Sequence, residues 1–243
     1  VDRPGPINGG VYLMRRAILD RIDRLPCSLE ADLFPRLAAE GRLYGRVYDG
    51  WFIDIGVPDD FARAQTEVPA RLRRPAVFFD RDGVLNLDHG YVHRPEDFTW
   101  VEGAREAIKL CNDRGWFVFV VTNQAGVARG LYDEAAVRRL HRWMAEQLAE
   151  AGAHVDAFRY CPHHPDGMVE AYRKACDHRK PGPGMIRACL EAHPVDQERS
   201  FLVGDRETDL AAAEAAGIRG HLFAGGNLLD LVAPLVGPYP GRP

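Results

Sequence analysis

Two aspartates follow directly after a short apolar run in the first half of the chain. Ala76–Phe79 is rich in β-forming residues and predicts a buried central strand, and Asp80, Asp82 and Gly83 come immediately after it. Two carboxylates at the end of an interior strand destabilise the fold unless a cation or hydrogen bonds satisfy them. That edge of an α/β sheet is also where ligands bind. The pattern favours a cation site; the alternative is a polar turn with two solvated acids, because Asp-Gly is a common turn pair.

Further polar side chains follow other predicted strands. The apolar run at residues 116–121 is followed by Thr122, and the strand at residues 200–203 is followed closely by Asp205. Lys180 comes just before a predicted helix. Carboxylates are ligands for Mg²⁺, and a hydroxyl and an ammonium can hold phosphoryl oxygens. Each residue alone has an ordinary structural explanation, such as a helix cap, but together and in this order they favour a site for a phosphate ester and Mg²⁺.

Strand and helix signals alternate regularly from residue 76 onwards. Beyond the strands already named, the pattern predicts helices near residues 103–114, 133–151, 183–192 and 208–216, and a last strand at residues 218–223. The continuous apolar run at residues 116–121 is typical of a strand buried on both faces. Regular alternation of this kind predicts an α/β fold with a doubly wound, mostly parallel sheet and helices on both faces.

Residues 1–67 differ in character and predict a small α+β fragment. Its predicted elements are a strand after Gly10, helices near residues 16–24 and 28–41, a hairpin with strands at residues 43–48 and 51–55, and a short helix from Pro58. The hairpin prediction rests on the turn pair Asp49-Gly50. The basic segment at residues 71–75 is predicted to be a linker. We therefore expect two domains, at residues 1–70 and 71–243.

The composition is typical of a globular protein. Hydrophobic residues make up 46 % and charged residues 27 % of the 243 residues, and the formal net charge of −4 gives no electrostatic reason to expect nucleic-acid binding. No apolar run is long enough to cross a bilayer, so we expect no membrane partner. Residues 1–6 show neither a signal-peptide pattern nor an initiator Met, which is typical of an internal start. Five cysteines without a secretory signal favour the reducing cytoplasm.

Two pairs of potential metal ligands lie in one predicted loop. Cys161 and His163 form the first pair, Cys176 and His178 form the second, and twelve residues separate the pairs. Sulfur and imidazole ligands in two close pairs are what a tetrahedral structural Zn²⁺ site requires. The alternative is free thiols beside loop histidines, and the adjacent His164 is easily confused with a ligand. A closed site with four protein ligands has no open position for chemistry, so the zinc would fold the loop.

The motifs at the strand ends resemble those of the haloacid dehalogenase phosphatase superfamily. Its D-x-D-G, strand-terminal Ser/Thr, Lys and G-D-x-x-x-D motifs correspond here to residues 80–83, Thr122, Lys180 and residues 204–209. More narrowly, nearly all of residues 76–223 is similar to the D-glycero-D-manno-heptose-1,7-bisphosphate 7-phosphatase family. The narrower resemblance rests on residues 88–92, 122–130, 161–165 and 179–181.

The resemblance implies a covalent mechanism with Mg²⁺. Asp80 would attack the phosphorus to form an aspartyl-phosphate, and Asp82 would protonate the leaving oxygen and then activate water. Mg²⁺ would be held by Asp80, Asp205 and the backbone carbonyl of Asp82. Thr122 and Lys180 would stabilise the transferring oxygens. The implied substrate contacts are Asp88, His89, Gly90, Tyr91, Asn123, Gln124, Arg179 and Arg206.

The sequence departs from the family pattern at two positions that matter for the predicted sites. Arg206 stands where the family is expected to have a lysine, which keeps the charge and changes its geometry. His178 stands where the family usually has its last zinc cysteine. Two cysteines and two histidines are an ordinary zinc set, so we expect zinc binding to survive.

Residues 1–67 resemble the C-terminal part of sugar-nucleotide pyrophosphorylases. The resemblance rests on residues 8–12, 28–30 and 51–58, and in that family the Asp of the I-D-I-G segment, here Asp54, can bind the metal. The family's glycine-rich nucleotide-binding loop would lie before residue 1, so we expect no nucleotidyl transfer by this chain. The fragment would belong to a nucleotidyltransferase half joined to the phosphatase.

The predicted activity is hydrolysis of the 7-phosphate of D-glycero-D-manno-heptose 1,7-bisphosphate, in heptose precursor synthesis for lipopolysaccharide or another surface glycan. One alternative is a histidinol-phosphate phosphatase, whose zinc loop is much shorter than the one here. A second alternative is that the chain is a fragment of a bifunctional nucleotidyltransferase-phosphatase. A polynucleotide 3′-phosphatase would need a basic groove, and a non-catalytic module is disfavoured because every catalytic position is filled.

Overall fold

The structure is a computed structural model that describes residues 7–237. The chain divides into two compact units, of which the first ends at Ile53 and the second begins at Asp54. Residues 1–6, which the sequence interpretation examines for a signal peptide, lie outside the described part, and so do residues 238–243; these are the outer ends of the two predicted domains. All predicted catalytic residues therefore lie in the second unit.

The first unit contains short helical segments joined by irregular chain. A 3₁₀ segment spans Arg16–Arg21, a π-helical turn spans Leu29–Leu33, and helix α1 spans Phe34–Ala39. The Ser28 hydroxyl accepts a hydrogen bond from Ala31 N at 3.1 Å, and the chain turns at Gly41 with a φ of +68°. The helical stretch predicted between Ser28 and Gly41 is confirmed.

The predicted β-hairpin at residues 43–55 is wrong, and so is the strand predicted after Gly10. Within residues 7–53 the structure contains no strand, and the side chains of Tyr44 and Tyr48 are 89 % and 75 % exposed. An isolated two-stranded hairpin is marginal without a third strand or a helix to cover it. The turn signal at Asp49-Gly50 is therefore not sufficient, and the fragment is not α+β.

A parallel sheet of five strands forms the centre of the second unit. Its strands are β1 (Ala76–Phe79), β2 (Phe117–Asn123), β3 (Ala157–Cys161), β4 (Phe201–Gly204) and β5 (Arg219–Leu222). Their order is β3-β2-β1-β4-β5, and each neighbouring pair is parallel. In this register, Val77 is paired with Val118 on one side and Phe201 on the other. The prediction of a doubly wound α/β sheet with β1 at its centre is confirmed.

Both faces of the sheet are buried, because successive side chains of a strand point to opposite sides. Val77 and Phe79 belong to one apolar cluster, whereas Ala76 and Phe78 belong to another. The rings of Phe78 and Phe119 pack with their centroids 5.0 Å apart. Burial of each large apolar side chain contributes roughly 1.5–3 kcal/mol, so the strand that precedes the two aspartates is anchored from both sides.

The helices of the second unit confirm the predicted alternation. They are α2 (Pro58–Leu72), α3 (Ala104–Asp113), α4 (Ala125–Ala128), α5 (Glu134–Glu150), α6 (Gly184–Ala192), α7 (Glu207–Ala215) and α8 (Leu228–Val232). The Asp133 side chain caps α5 by accepting a backbone hydrogen bond at 2.7 Å, and Gly152, with a φ of +69°, follows the end of the helix. Among residues 7–237, no helix combines the length and the apolar character that crossing a bilayer requires.

Two local features around the sheet differ from expectation. The segment 71–75 is not a free linker, because α2 runs to Leu72 and Arg74 pairs with the chain before β4. Arg74 N donates to Pro194 O at 3.0 Å, and Arg74 O accepts from Asp196 N at 2.8 Å. The sequence also does not predict β3, whose residues are mostly half-exposed at the sheet edge and lack a clear apolar pattern.

Candidate active site

Lys180 joins two carboxylates at the carboxyl edge of the sheet. Its Nζ lies 2.8 Å from Oδ1 of Asp80 and 2.6 Å from Oδ1 of Asp209, and it donates to the backbone oxygen of Val121 at 2.9 Å. Asp80 follows β1, Val121 lies in β2 and Asp209 lies in the first turn of α7. Parallel strands end at the same edge, so residues that are distant in sequence meet here. Lys180 and Asp209 are buried, and water does not screen their ion pair.

Burial and charge act against each other at this ion pair. Burial raises the pKa of Asp80 to about 6, although the charge of Lys180 lowers it. Burial lowers the pKa of Lys180, but the charges of Asp80 and Asp209 outweigh burial and leave that pKa raised. One buried ammonium therefore faces two carboxyl groups, and an additional positive charge at this edge would favour their ionised forms.

Three carboxyl groups at this edge can hold a divalent cation. One oxygen each of Asp80, Asp205 and Asp209 lies within 4.8 Å of the others. Oδ1 of Asp205 is buried, and no described residue forms a hydrogen bond with it. A cation would satisfy such an oxygen. Gly83 leaves room for this carboxylate, since a Cβ there would lie 2.4 Å from Oδ2 of Asp205. An all-oxygen ligand set of this kind fits Mg²⁺.

The buried side chain of Arg81 binds the carboxylate of Asp82. The guanidinium of Arg81 is fully buried, and its Nε and Nη2 contact the Asp82 oxygens at 3.1, 2.9 and 2.8 Å. Asn86 Nδ2 and Gln124 Nε2 donate to the same carboxylate at 3.1 and 2.9 Å. The Asp82 side chain stays 19 % exposed, so it can still contact a substrate. The Asp82 carboxylate is not one of the three clustered carboxylates, so the structure does not bring this side chain to the candidate metal position.

The three residues at the end of β2 point into the protein. Thr122 Oγ1 accepts a hydrogen bond from Gln124 Nε2 at 2.8 Å, and both side chains are buried. Asn123 bonds the backbone of Lys180 twice, because its Oδ1 accepts from N at 3.0 Å and its Nδ2 donates to O at 3.1 Å. Asn123 and Gln124, which the family resemblance assigns to the substrate, thus contact the backbone of Lys180 and the carboxylate of Asp82.

Basic side chains surround the acids at the rim of the site. Arg206 Nη2 lies 3.1 Å from Oδ2 of Asp88, and Arg206 Nε lies 3.6 Å from Oδ2 of Asp205. Arg179 is half-buried; burial lowers its pKa, and the nearby charges of Arg129 and Arg206 lower it further. Arg179 therefore lies close enough to Arg129 and Arg206 to be influenced by their charges, and the three guanidinium groups make this rim positive.

The loop that carries Asp88, His89, Gly90 and Tyr91 is exposed. Tyr91 has a φ of +56°, a left-handed conformation that is unusual for a residue with a side chain. The guanidinium of Arg129 lies 5.9 Å from the centre of the Tyr91 ring. Strained backbone of this kind is concentrated at ligand sites, which favours a binding role for the loop.

Three of the four predicted zinc ligands come together. The ligand atoms of Cys161, His163 and Cys176 lie within 4.8 Å of one another, with Cys161 Sγ 3.7 Å from His163 Nδ1. His178 is exposed and lies outside this group. Burial raises the pKa of Cys161 to about 11, and the neighbouring Cys176 adds to this effect. A bound metal ion would favour the thiolate instead.

The sequence interpretation did not assign two charged residues that the structure puts in the site. Arg81 holds Asp82, and Asp209 pairs with Lys180. A sequence signal for Asp209 exists, because this residue closes the G-D-x-x-x-D motif four positions after Asp205. No local pattern distinguishes Arg81 from a solvated arginine, since its burial depends on the whole fold.

Sequence comparisons connect this geometry to known proteins. The Hydrolase_like family, described as HAD-hydrolase-like, matches residues 178–230. A D-glycero-β-D-manno-heptose-1,7-bisphosphate 7-phosphatase from Rhodopseudomonas palustris is 52 % identical over 153 residues, which cover 63 % of this chain and 85 % of the relative. The protein of the same name from Escherichia coli K12 is 44 % identical over 144 residues, or 59 % of this chain and 75 % of the relative.

A solved structure shares both the fold and much of the sequence. It is the D,D-heptose 1,7-bisphosphate phosphatase from B. bronchiseptica, complexed with magnesium and phosphate, with a TM-score of 0.57. It is 35 % identical to this chain, and the match covers 69 % of this chain and 89 % of that structure. From the identity and the coverage of these relatives, the chain belongs to the D-glycero-β-D-manno-heptose-1,7-bisphosphate 7-phosphatase family of haloacid dehalogenase-like hydrolases.

Proposed function

We propose that this chain is a Mg²⁺-dependent phosphatase that removes the 7-phosphate of D-glycero-β-D-manno-heptose 1,7-bisphosphate. The observation that carries the proposal is the buried ammonium of Lys180 between Asp80 and Asp209, beside an unpartnered oxygen of Asp205. Such an edge can hold a cation and a phosphoryl group together. The names of the relatives support the substrate, and the magnesium and phosphate in the related structure support the metal. The reaction would serve heptose precursor synthesis for a surface glycan such as lipopolysaccharide.

The proposed reaction proceeds through an aspartyl-phosphate. An oxygen of Asp80 attacks the phosphorus, and the P–O bond to the sugar breaks as the sugar oxygen takes a proton from Asp82. Water then attacks the phosphorus and gives a proton to Asp82, the P–O bond to Asp80 breaks, and inorganic phosphate leaves as the Asp80 carboxylate is restored. Lys180 and Thr122 stabilise the oxygens of the transferring group. When bound between Asp80 and Asp205, Mg²⁺ supplies neutralisation of the charge that the carboxylates and the phosphate bring together.

The rim suits a substrate that carries a second phosphate. With one phosphoryl group beside Asp80, the positive charges of Arg129, Arg179 and Arg206 are available to the other phosphate. The exposed loop at residues 88–91 is available to the sugar hydroxyls. This division of the site would favour a sugar bisphosphate over a monophosphate.

We also propose a structural Zn²⁺ in the loop after β3. Cys161, His163 and Cys176 would supply three ligands, and His178 would supply the fourth after a local movement of the loop. The loop also has support that is independent of metal, because Glu134 accepts a hydrogen bond from the Tyr172 hydroxyl at 2.8 Å. The zinc would therefore stiffen a loop that is already anchored.

For the whole chain we propose the two-domain organisation that the sequence predicts. We assign the phosphatase domain to residues 71–243 and a nucleotidyltransferase-like segment to residues 1–70, with the rest of a nucleotidyltransferase as its partner. We propose the cytoplasm as the compartment, in line with five free cysteines in the described part of the chain. The proposed function involves neither nucleic acid nor a membrane.

Phosphate release tests the proposed function. The protein is incubated with Mg²⁺ and heptose 1,7-bisphosphate, and in parallel with histidinol phosphate, with Asp80→Asn as the blank. We expect turnover of the bisphosphate alone. Turnover of histidinol phosphate alone would keep the mechanism and refute the substrate, and no turnover of either by folded, metal-loaded protein would refute both.

A further inference from the structure

We propose that Arg81, Gln124 and Tyr132 form a positioning network that orients the carboxylate of Asp82 for proton transfer. The inference rests on the proposed function, in which Asp82 protonates the oxygen that leaves the phosphorus. It gives a role to the cation in the middle of the D-x-D motif. It also assigns Gln124 to the acid rather than to the substrate.

Arg81 is held so firmly that it can serve as a fixed support. Besides its contacts with Asp82, Nη2 donates to the backbone oxygen of Val92 at 2.6 Å, and Nη1 lies 3.5 Å from Nε2 of His141. The His141 ring stacks on Phe158 with centroids 4.8 Å apart, and burial lowers the pKa of His141 to about 3, so a neutral imidazole faces the guanidinium. A buried guanidinium needs such partners because its desolvation is costly. The carboxylate of Asp82 is therefore bound to a cation that other buried groups hold in place.

Gln124 holds the second oxygen of Asp82 and has a defined orientation. Its Nε2 donates to Asp82 Oδ2 at 2.9 Å, while its Oε1 accepts from the Tyr132 hydroxyl at 2.8 Å and from Arg81 Nη2 at 3.2 Å. Arginine can only donate, so Oε1 must face Arg81 and the amino group must face Asp82. The same amino group bonds Thr122 Oγ1 at 2.8 Å. One buried amide thus connects the proposed acid with the proposed phosphoryl site.

A well-oriented acid matters most when the leaving group is poor. A leaving oxygen of high pKa needs a proton as the P–O bond breaks, whereas p-nitrophenolate can leave without one. The value of kcat/KM reports the steps up to the departure of the leaving group, so it isolates this role from the later hydrolysis of the aspartyl-phosphate. Misorientation of Asp82 should therefore make kcat/KM fall more steeply as the leaving-group pKa rises.

The test measures kcat/KM of the full chain with Mg²⁺ on a series of substituted phenyl phosphates. Tyr132→Phe removes only the hydroxyl and keeps the ring that stacks on His93 at 4.6 Å. The matched control is Tyr160→Phe, whose hydroxyl bonds Glu134 at 2.6 Å, away from Asp82. We expect Tyr132→Phe to lower kcat/KM about 3- to 10-fold for phenyl phosphate and less than about 2-fold for p-nitrophenyl phosphate. In Arg81→Lys, we expect kcat/KM to fall with rising leaving-group pKa even more steeply than in Tyr132→Phe.

The kcat/KM series either supports or overturns the positioning role. If folded Tyr132→Phe loses the same factor in kcat/KM for every leaving group, the dependence on leaving-group pKa is unchanged and the positioning role is overturned. Thermal unfolding checks the fold of each variant, and Tyr132→Phe alone decides the question if Arg81→Lys does not fold. A wild-type protein that hydrolyses no member of the series and no sugar phosphate would refute the proposed function and this inference with it.

Discussion

The side chain of Asn123 forms two hydrogen bonds with the backbone of Lys180, one to its N at 3.0 Å and one to its O at 3.1 Å. These bonds tie the end of β2 to the segment that precedes α6. The ammonium of Lys180 therefore starts from a fixed backbone position and reaches Asp80 and Asp209 together. Charges that are arranged before the ligand arrives need no reorganisation during the reaction.

Replacement of Lys180 by Met should destabilise the protein and abolish activity. Asp80 and Asp209 would lose their buried cation, which costs about 3–5 kcal/mol in the free energy of unfolding, and we expect kcat to fall at least about 100-fold. Urea unfolding and phosphate release measure the two effects. The matched control is Lys109→Met, because Lys109 is exposed and its pair with Asp113 contributes at most about 1 kcal/mol. Similar losses of stability and activity in Lys180→Met and Lys109→Met would contradict the assignment of Lys180 to the active site.

Stability without magnesium should fall as the pH rises through about 6. Folding raises the pKa of Asp80 from 3.8 to about 6, so the folded state binds the proton more tightly. The resulting contribution, roughly 3 kcal/mol, is complete below pH 3.8 and is lost as the pH rises through about 6. Mg²⁺ requires the ionised carboxylate, so its stabilising effect should be larger at pH 7 than at pH 5.

Thermal unfolding with and without added Mg²⁺ checks this pH dependence. The buffers should contain no chelator, so that any metal at Cys161, His163 and Cys176 is left in place. In Asp80→Asn, the increase in Tm caused by Mg²⁺ should be nearly the same at pH 5 and pH 7. An increase in Tm from Mg²⁺ that is the same at pH 5 and pH 7 would show that Asp80 is not the group responsible.

Gly83→Ala should weaken magnesium binding. The new Cβ would lie 2.4 Å from Oδ2 of Asp205 and would displace that carboxylate. We expect the Mg²⁺ concentration for half-maximal activity to rise about 10-fold or more. Gly152→Ala is the matched control, since Gly152 also has a positive φ, +69°, but a Cβ there would lie 4.0 Å from Lys109 Cε. A similar rise in the control would attribute the effect to backbone strain.

Cys176→Ser should remove tightly bound zinc and lower Tm. The Cys176 sulfur is one of three converging ligand atoms, and loss of a ligand from a structural zinc site removes binding energy that stabilises the fold. Metal analysis should give about one zinc per wild-type chain and much less in the variant. Cys27→Ser lies outside the cluster and should keep the metal. His178→Ala then tests the fourth ligand, and unchanged zinc affinity in that variant would assign the position to another group.

Removal of residues 1–53 or residues 1–70 should leave phosphatase activity within about twofold of the full chain, because a unit with its own core can fold alone. Both apolar clusters of the second unit consist of residues from Ala76 onwards. Phosphate release at saturating substrate gives the comparison. A large fall in kcat for a folded, truncated protein would assign the first unit a part in the active site.

Local signals predict the strands and acids of the phosphatase unit well. A short β-forming run followed by Asp80 and Asp82 is recognisable without the fold, and so is a helix bounded by Asp133 and Gly152. Side-chain direction is different, because it depends on distant residues. Asn123 and Gln124 point inward, and the partner of Asn123 lies 57 positions away at Lys180. The convergence of the zinc ligands likewise depends on the course of a long loop, and the sequence alone does not reveal that His178 stands apart.

The loop that would hold the proposed zinc also carries Lys180, the proposed catalytic lysine. Cys176 O accepts a hydrogen bond from Arg179 N at 3.0 Å, and Lys180 is the next residue. This short connection could couple metal binding at Cys176 to phosphate binding at Lys180, and any such coupling is reciprocal. If the two sites are coupled, removal of the proposed zinc would weaken the affinity for a phosphate ester by the same factor by which the ester strengthens zinc binding.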